Sequence, residues 1–204
     1  PSAKDAAKSA GSANPEVRRA AAFALGNLKD KETFEAIAKL ANDSEDEVSA
    51  EALSGIAKIA DPFFLDTVAG CIKKVKARDI VRSSAARAAG KIKESSAEIK
   101  KSLKRICVDK TIPVMGMGDE FDSDYARASA AWALVDIALM EPAFAKEAKD
   151  ILTVLQTPLE KQNEKLQSSE ALIEYSRQAE KYLNGEECST ASKVTPVKAE
   201  MIIN

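Results

Sequence analysis

The chain has 204 residues, of which 45% are hydrophobic, 30% are charged and only 5% are aromatic, and its formal net charge is -2. This length leaves room for a sizeable core in one large or two small domains, and so few aromatic residues favour helices packed through small side chains over a β sandwich. The absence of histidine excludes histidine-based catalytic triads, histidine metal ligands and the most common general base near neutral pH.

The sequence restricts other chemistry as well. It contains no apolar stretch long enough to span a membrane, so we expect a soluble protein. Cys71, Cys107 and Cys188 are far apart and form no CxxC pair, which argues against a disulfide framework or a zinc site. We therefore expect no catalytic residues, no metal and no cofactor. We also expect a chain that begins with Pro1 to be processed or trimmed, which leaves export open beside the cytoplasmic location that we favour.

Four segments along the chain repeat one helical pattern. The first is EVRRAAAFALGNL at residues 16–28, and IVRSSAARAAGKI at residues 80–92 is nearly the same. In each copy, apolar residues stand at a first position and four, eight and eleven positions later, which is one face of an α-helix. These columns are Val17, Val48, Val81 and Ala126, then Ala21, Ala52, Ala85 and Ala130, then Leu25, Ile56, Ala89 and Leu134, and finally Leu28, Ile59, Ile92 and Ile137.

A second amphipathic segment precedes the later copies. In chain order these segments are ETFEAIAKLAN, PFFLDTVAGCIKKV and AEIKKSLKRICV, and PAFAKEAKDILTVL precedes a C-terminal helix. The repeated unit is therefore a helical hairpin. A helix enclosed by its partner and by two neighbouring hairpins needs small residues on several sides, so we interpret the many alanines as packing spacers.

Residues between these segments predict where helices begin and end. Asn14-Pro15 and Asp61-Pro62 each place a capping side chain before a proline in the first turn. Capping-box spacing occurs three times, at Ser44/Glu47, Ser95/Glu98 and Thr157/Glu160. Asn184-Gly185 is predicted to end the last helix.

The repeated helix resembles the second helix of the HEAT-repeat family, in particular of the short, phycobilin-lyase-type repeats, which reads roughly Asp-x-x-Val-Arg-x-x-Ala-x-x-Ala-Leu-Gly. The matching segments are NPEVRRAAAFALGNL, RDIVRSSAARAAGKI and SDYARASAAWALVDI, with Arg18, Arg82 and Arg127 after the first column and with Gly26 and Gly90. The second copy departs from the pattern at Ser49 and Ala57. The resemblance covers residues 1–140 well and the C-terminal pair of helices loosely.

The resemblance implies an all-α, right-handed α-solenoid of about five HEAT-like helical hairpins, whose second helices line the concave side. We expect the solenoid to cover residues 1–185, with an insertion loop at about 109–123 that contains TIPVMGMGDEF. Residues 186–204 leave the helical pattern and are predicted to form a non-helical C-terminal tail. Membership of this family does not by itself supply a function.

The side of the repeated helix that lies opposite its apolar stripe is predicted to face outward. The column six positions after the first contains Phe23, Ser54, Arg87 and Trp132. The columns two and ten positions after the first lie beside this column on the helix surface. Aromatic residues at both ends with a guanidinium between them are typical of a surface that binds an extended peptide. The predicted partner-binding residues are Arg19, Phe23, Lys58, Arg87, Lys91 and Trp132. Alternatively, Phe23 is covered by the N-terminal segment and Trp132 by the insertion.

Charge is distributed in blocks along the chain. Residues 73–110 contain 13 basic and 4 acidic residues, a net charge of +9. Residues 30–66 contain 3 basic and 10 acidic residues, a net charge of -7. Residues 119–188 contain 7 basic and 15 acidic residues, a net charge of -8. This asymmetry favours a partner with an acidic segment held at the basic centre. The alternative is that neighbouring repeats neutralise one another.

The function that the sequence favours is a non-catalytic scaffold or adaptor that binds another protein or peptide, in an oligomeric state that the sequence does not fix. One alternative is an enzyme resembling the phycobiliprotein lyases, which would require an apolar groove the size of a chromophore. Nucleic acid is a weaker alternative, because the basic block contains no aromatic residue to stack on a base and its acidic flanks would repel a phosphate backbone. The deoxyhypusine hydroxylases, another class of HEAT-repeat enzymes, use His-Glu iron sites and are excluded by the lack of histidine.

Overall fold

The computed structural model describes residues 2–74, 79–92, 94–108, 123–162 and 166–186. Within these ranges the chain forms ten α-helices, four short 3-10 turns and no β-strand. The helices are α1 (Ala3–Ser9), α2 (Pro15–Leu28), α3 (Phe34–Leu40), α4 (Asp46–Ile59), α5 (Leu65–Lys73), α6 (Asp79–Lys91), α7 (Ala97–Val108), α8 (Asp124–Met140), α9 (Ala145–Leu155) and α10 (Glu170–Leu183). None of these helices is long and apolar enough to cross a membrane.

The helices form two layers. Each odd-numbered helix pairs with the even-numbered helix that follows it, which gives five hairpins within the described ranges. The even-numbered helices pack on one another in chain order and form one layer, which we call the even layer. In the other layer α7 packs between α5 and α9. The predicted all-α solenoid of about five hairpins is confirmed, and its right-handed sense stays a prediction.

Small residues set the spacing within the even layer. Gly26 of α2 lies so close to Gly55 of α4 that a Cβ atom on Gly26 would overlap the Cα of Gly55. Likewise, a Cβ on Gly90 of α6 would lie 2.8 Å from the Cα of Ala133 on α8. Neighbouring backbones therefore touch directly, which is the packing role that the sequence predicted for its alanines, and here glycines have it as well.

The predicted apolar stripe is buried where a helix has neighbours on both sides. All four stripe residues of α6 and of α8 are buried, and they join one continuous core with residues of the odd-numbered helices. In α2, by contrast, Val17 and Leu28 are exposed. The reason is that α2 has only one neighbour in the even layer, and its hairpin partner α1 has only seven residues.

Some of the predicted helix boundaries differ from the structure. The Asn14 side chain accepts a hydrogen bond from the Glu16 amide at 2.9 Å, and Gly185, at φ +77°, follows the end of α10, both as predicted. The three capping boxes were wrong as starts of helices: α4 begins at Asp46, α7 begins at Ala97 after Ser96, and α10 begins after Ser169. Thr157 instead donates a hydrogen bond to the carbonyl of Val154.

Two features predicted from the sequence lie largely outside the described residues. Residues 109–122 of the insertion and residues 187–204 of the tail belong to the parts of the chain that the structure does not describe. The domain boundaries at 1–185 and 186–204 therefore stay predictions. The insertion falls inside the fourth hairpin, between its two helices, because α7 ends at Val108 and α8 begins at Asp124.

Candidate functional site

The even layer presents one side to the core and the other side outward. We define the outward face as the residues six and ten positions after the first column in α2, α4, α6 and α8: Phe23, Asn27, Ser54, Lys58, Arg87, Lys91, Trp132 and Asp136. Every one of these side chains is at least partly exposed, whereas the stripe columns of α6 and α8 are buried. Exposure varies in the column two positions after the first, since Arg19 is exposed but Ala50 and Ser83 are buried.

At the amino-terminal end of the outward face, Phe23 is the dominant feature. This ring is 55% exposed, and the Nζ atom of Lys58 lies 5.0 Å from its centroid. Such a cation–π contact stabilises the ring on a surface without covering it. Lys58 also donates a hydrogen bond to the side chain of Asn27 at 3.1 Å. A shallow groove of about 330 Å³ runs beside the ring and is lined by Glu16, Arg19, Ala20, Phe23 and Glu51.

The middle of the outward face is formed by two basic residues of α6. Arg87 is half-buried and donates a hydrogen bond to the Ser84 hydroxyl at 3.2 Å, and it makes no ion pair within the described ranges. Lys91 is exposed, but its Nζ atom lies 2.8 Å from a carboxylate oxygen of Asp136 on α8. Of these two residues, Arg87 therefore has the charge that no carboxylate of the described chain neutralises.

At the carboxy-terminal end, Trp132 is half-buried beneath a residue that the sequence reasoning missed. The centroids of the Trp132 and Tyr182 rings are 5.6 Å apart, so α10 covers part of the tryptophan. The indole Nε1 atom is buried and has no hydrogen-bond partner among the residues that the structure describes. The sequence did not indicate that Tyr182 would contact Trp132, because α10 does not align with the four repeated helices. The predicted cover by the insertion concerns residues outside the described ranges.

The arginines after the first column lie inside the solenoid and not on the outward face. Arg18 donates two hydrogen bonds to Asp43, at 2.7 and 2.8 Å, and these bonds hold the pKa of that carboxyl below its usual range. Arg127 is fully buried and donates to the carbonyl oxygens of Cys107 and Gln167, both at 2.9 Å. These residues connect neighbouring hairpins, so we assign them to the architecture.

The basic block is partly neutralised by the repeats around it. Lys100 lies 2.7 Å from Glu141 and Lys104 lies 3.1 Å from Glu147, and both acidic residues belong to the following hairpin. Together with the Lys91–Asp136 pair, these contacts support the alternative that neighbouring charge blocks compensate one another along the chain. What remains for an acidic partner on the outward face is centred on Arg87.

The two cysteines in the described part of the chain are both buried. Burial raises the pKa of the Cys107 thiol to about 12 and raises that of Cys71 as well, so neither thiol ionises near neutral pH. The Cys71 thiol instead donates to the carbonyl of Ala41 at 3.2 Å. In the part of the chain that the structure describes, no group of three or more acidic or cysteine side chains is placed to hold a metal ion.

Comparison with known proteins finds a family match for the amino-terminal part of the chain. Residues 4–90 match the family model for HEAT repeats, and this stretch corresponds to α1–α6 of the structure. No curated protein matches the chain closely enough to count as a relative. The hairpins after residue 90 continue the same two-layer arrangement. Residues 4–90 of the chain therefore consist of HEAT repeats.

Proposed function

We propose that this protein is a non-catalytic scaffold or adaptor that binds another protein or a peptide along the outward face of its even layer. The observation that supports the proposal is the composition of this one face, with an exposed aromatic ring at one end, a half-buried tryptophan at the other and the guanidinium of Arg87 between them. Aromatic residues and arginine contribute most of the binding energy in protein interfaces.

The charge of Arg87 suggests an acidic segment in the partner. A guanidinium that is not paired can bind a carboxylate through two parallel hydrogen bonds, which is the strongest contact that this face offers. Lys91 can contribute by sharing its charge between Asp136 and the incoming carboxylate. The groove beside Phe23 can receive an apolar side chain of the same segment.

The test uses fluorescein-labelled peptides of 15 residues with an Asp/Glu-rich centre and apolar ends, and measures their affinity by fluorescence anisotropy at low and at physiological salt. We expect Arg87→Glu/Lys91→Glu to weaken binding at least tenfold and to reduce its salt dependence. The matched control is Lys101→Glu/Lys146→Glu, which changes the net charge equally at two exposed lysines of the odd-numbered helices. Equal affinity and salt dependence in the two double variants would contradict the role of Arg87.

The alternative of a lyase-like enzyme has less support. A bilin would require an apolar groove, whereas the groove beside Phe23 is lined by two carboxylates and a guanidinium as well. Mixing the protein with a bilin tests this alternative directly, because a bound chromophore would shift its absorbance. We expect no shift.

A further inference from the structure

Helix α8 differs from the other repeated helices along one stripe of its outward side. The stripe consists of the positions one before the first column, six after it and thirteen after it, which are spaced seven residues apart and therefore share one side of a helix. In α8 all three residues are apolar: Tyr125, Trp132 and Leu139. The corresponding residues are Glu16, Phe23 and Asp30 in the first copy, Glu47, Ser54 and Asp61 in the second, and Ile80, Arg87 and Glu94 in the third.

The structure keeps this apolar stripe at the surface. α8 continues to Met140, whereas α2 and α4 end at the position eleven after the first column, so Leu139 lies on an extra helical turn. Tyr125 is 44% exposed and Leu139 is 46% exposed. Three other exposed apolar residues accompany them, namely Met140 on α8 and, seven residues apart on the adjacent α10, Tyr175 and Tyr182.

We call these six residues, Tyr125, Trp132, Leu139, Met140, Tyr175 and Tyr182, the α8–α10 strip. The 5.6 Å contact between the Trp132 and Tyr182 rings joins its two helices. From Tyr125 to Leu139 the strip extends about 21 Å, at about 1.5 Å per residue. Contiguous exposed apolar surface of this kind is unusual on a protein that has no partner.

The shape of the strip fits a helix. Two neighbouring helices with apolar residues every seven positions form a groove into which a third helix can place its own apolar residues. A partner helix of about four turns, roughly 14 residues, would match the length of the strip. The strip contains aromatic residues in four of its six positions, and such residues dominate interface energetics.

The charge around the strip narrows the choice of partner. Residues 119–188 carry a net charge of -8, from 7 basic and 15 acidic residues. Asp124 and Glu174 each adjoin a tyrosine of the strip, and Glu170 lies at the start of α10. Asp124 lies 3.5 Å from Arg127 and Glu174 lies 3.7 Å from Arg177, so Glu170 is the one of the three that makes no ion pair within the described residues. Two copies of this chain that met through their strips would bring two acidic surrounds together, which is unfavourable. An anionic membrane surface would be repelled for the same reason.

We propose that the α8–α10 strip binds a basic amphipathic helix of a partner protein. This proposal rests on the proposed scaffold function, because the strip includes Trp132, but it concerns a part of the surface that does not depend on Arg87. The partner would place its apolar side on the strip and basic residues at the flanks, opposite Asp124, Glu170 and Glu174.

The experiment is a selection from a displayed library of 18-residue helix-forming peptides, in which both the apolar pattern and the charge are free to vary. The bait is the full chain. We expect the enriched peptides to carry apolar residues at i, i+3 or i+4, and i+7, together with a net positive charge. An enriched peptide, labelled with fluorescein and free of tryptophan, is then titrated with the protein and its variants.

We expect Tyr125→Ser/Leu139→Ser to weaken this binding at least tenfold. The control Val17→Ser/Leu28→Ser removes two other exposed apolar residues, at the opposite end of the even layer, and we expect it to bind as the wild type does. Circular dichroism confirms that each variant is folded. Arg87→Glu/Lys91→Glu should also keep its affinity, and this separates the strip from the proposed acidic contact.

Several results would overturn the proposal. They are the enrichment of no peptide, the enrichment of acidic peptides, and equal losses in the two serine double variants. A dimer of the wild-type chain in analytical ultracentrifugation that dissociates in Tyr125→Ser/Leu139→Ser would instead identify a second copy as the occupant. None of these results would affect the outcome with acidic-centred peptides, so the two proposals can fail separately.

Discussion

Helices α2 and α8 occupy the same place in their repeats, yet their neighbours give the same motif different properties. In α8 the first and last stripe residues, Ala126 and Ile137, are fully buried, whereas in α2 the equivalent Val17 and Leu28 are exposed. α8 has an even-layer neighbour on both sides, and α2 has one. The repeat pattern therefore specifies a helix and its apolar stripe, while the position of the helix in the solenoid determines how much of that stripe is buried.

The arginine after the first column shows the same contrast. Arg18 of α2 pairs with the carboxylate of Asp43 near the surface, where both side chains keep some exposure. Arg127 of α8 is fully buried, and among the described residues a carboxylate oxygen of Asp124 lies 3.5 Å from its guanidinium. The guanidinium also donates hydrogen bonds to two backbone carbonyl oxygens. We therefore expect the two arginines to contribute very differently to stability.

Substituting Arg127 should have the largest effect. In Arg127→Met the buried carbonyl oxygen of Cys107 and the partly buried carbonyl oxygen of Gln167 lose a donor, and a buried unsatisfied group costs about 1–3 kcal/mol. We expect a loss of about 3 kcal/mol or more in the free energy of unfolding, measured by urea denaturation. A loss no larger than that of Arg18→Met would show that the buried position of Arg127 does not distinguish α8 from α2.

The contact between α2 and α4 provides the next largest effect. α8 has Val135 where α2 has Gly26, and this glycine touches the backbone of Gly55. Gly26→Ala should therefore push the two helices apart and destabilise the protein by about 1–3 kcal/mol.

The control for this substitution is Gly70→Ala on α5, where an added Cβ meets no atom within 4 Å. That variant should be neutral or stabilised by up to about 1 kcal/mol, because alanine favours a helix more than glycine does. Thermal unfolding followed by circular dichroism measures both variants. Equal changes in the stability of the two variants would mean that the fold does not require the close approach of α2 and α4.

A smaller effect concerns pH. The Arg18 side chain lowers the pKa of Asp43 in the folded protein below the reference value of 3.8. The pair therefore stabilises the fold fully above that value, and its contribution is lost as the pH falls through the lower folded pKa. We expect wild type to lose more stability than Arg18→Met in this acidic range. Urea denaturation at a series of pH values from neutral to acid measures the difference, and parallel curves would contradict it.

The features that could be predicted from the sequence are those that depend on local periodicity. The positions of α2, α4, α6 and α8, their stripes and their outward columns all follow from the 3.6-residue period of a helix. The alanines could be recognised as packing spacers because they recur on several sides of the repeated helices. These inferences did not require knowledge of which residues meet in space.

The features that could not be predicted depend on contacts between distant segments. Lys91 pairs with Asp136, 45 residues away, and the block of net charge +9 could not reveal this partner. Tyr182 covers part of Trp132 because α10 packs on α8, although α10 does not share the repeat alignment. The choice of Ser96 over Ser95 as the residue before α7 was missed because the Ser95 hydroxyl bonds to Glu141, 46 residues away.

The central claim, that the outward face of the even layer is the interaction surface, is tested most directly by the fluorescence of Trp132, the only tryptophan of the chain. In the free full-length protein we expect an emission maximum between those of buried and of free tryptophan, with partial quenching by acrylamide. Adding an acidic-centred peptide that binds the outward face should shift the emission and protect it from the quencher. A blue emission that acrylamide does not quench and that no bound peptide changes would contradict the account.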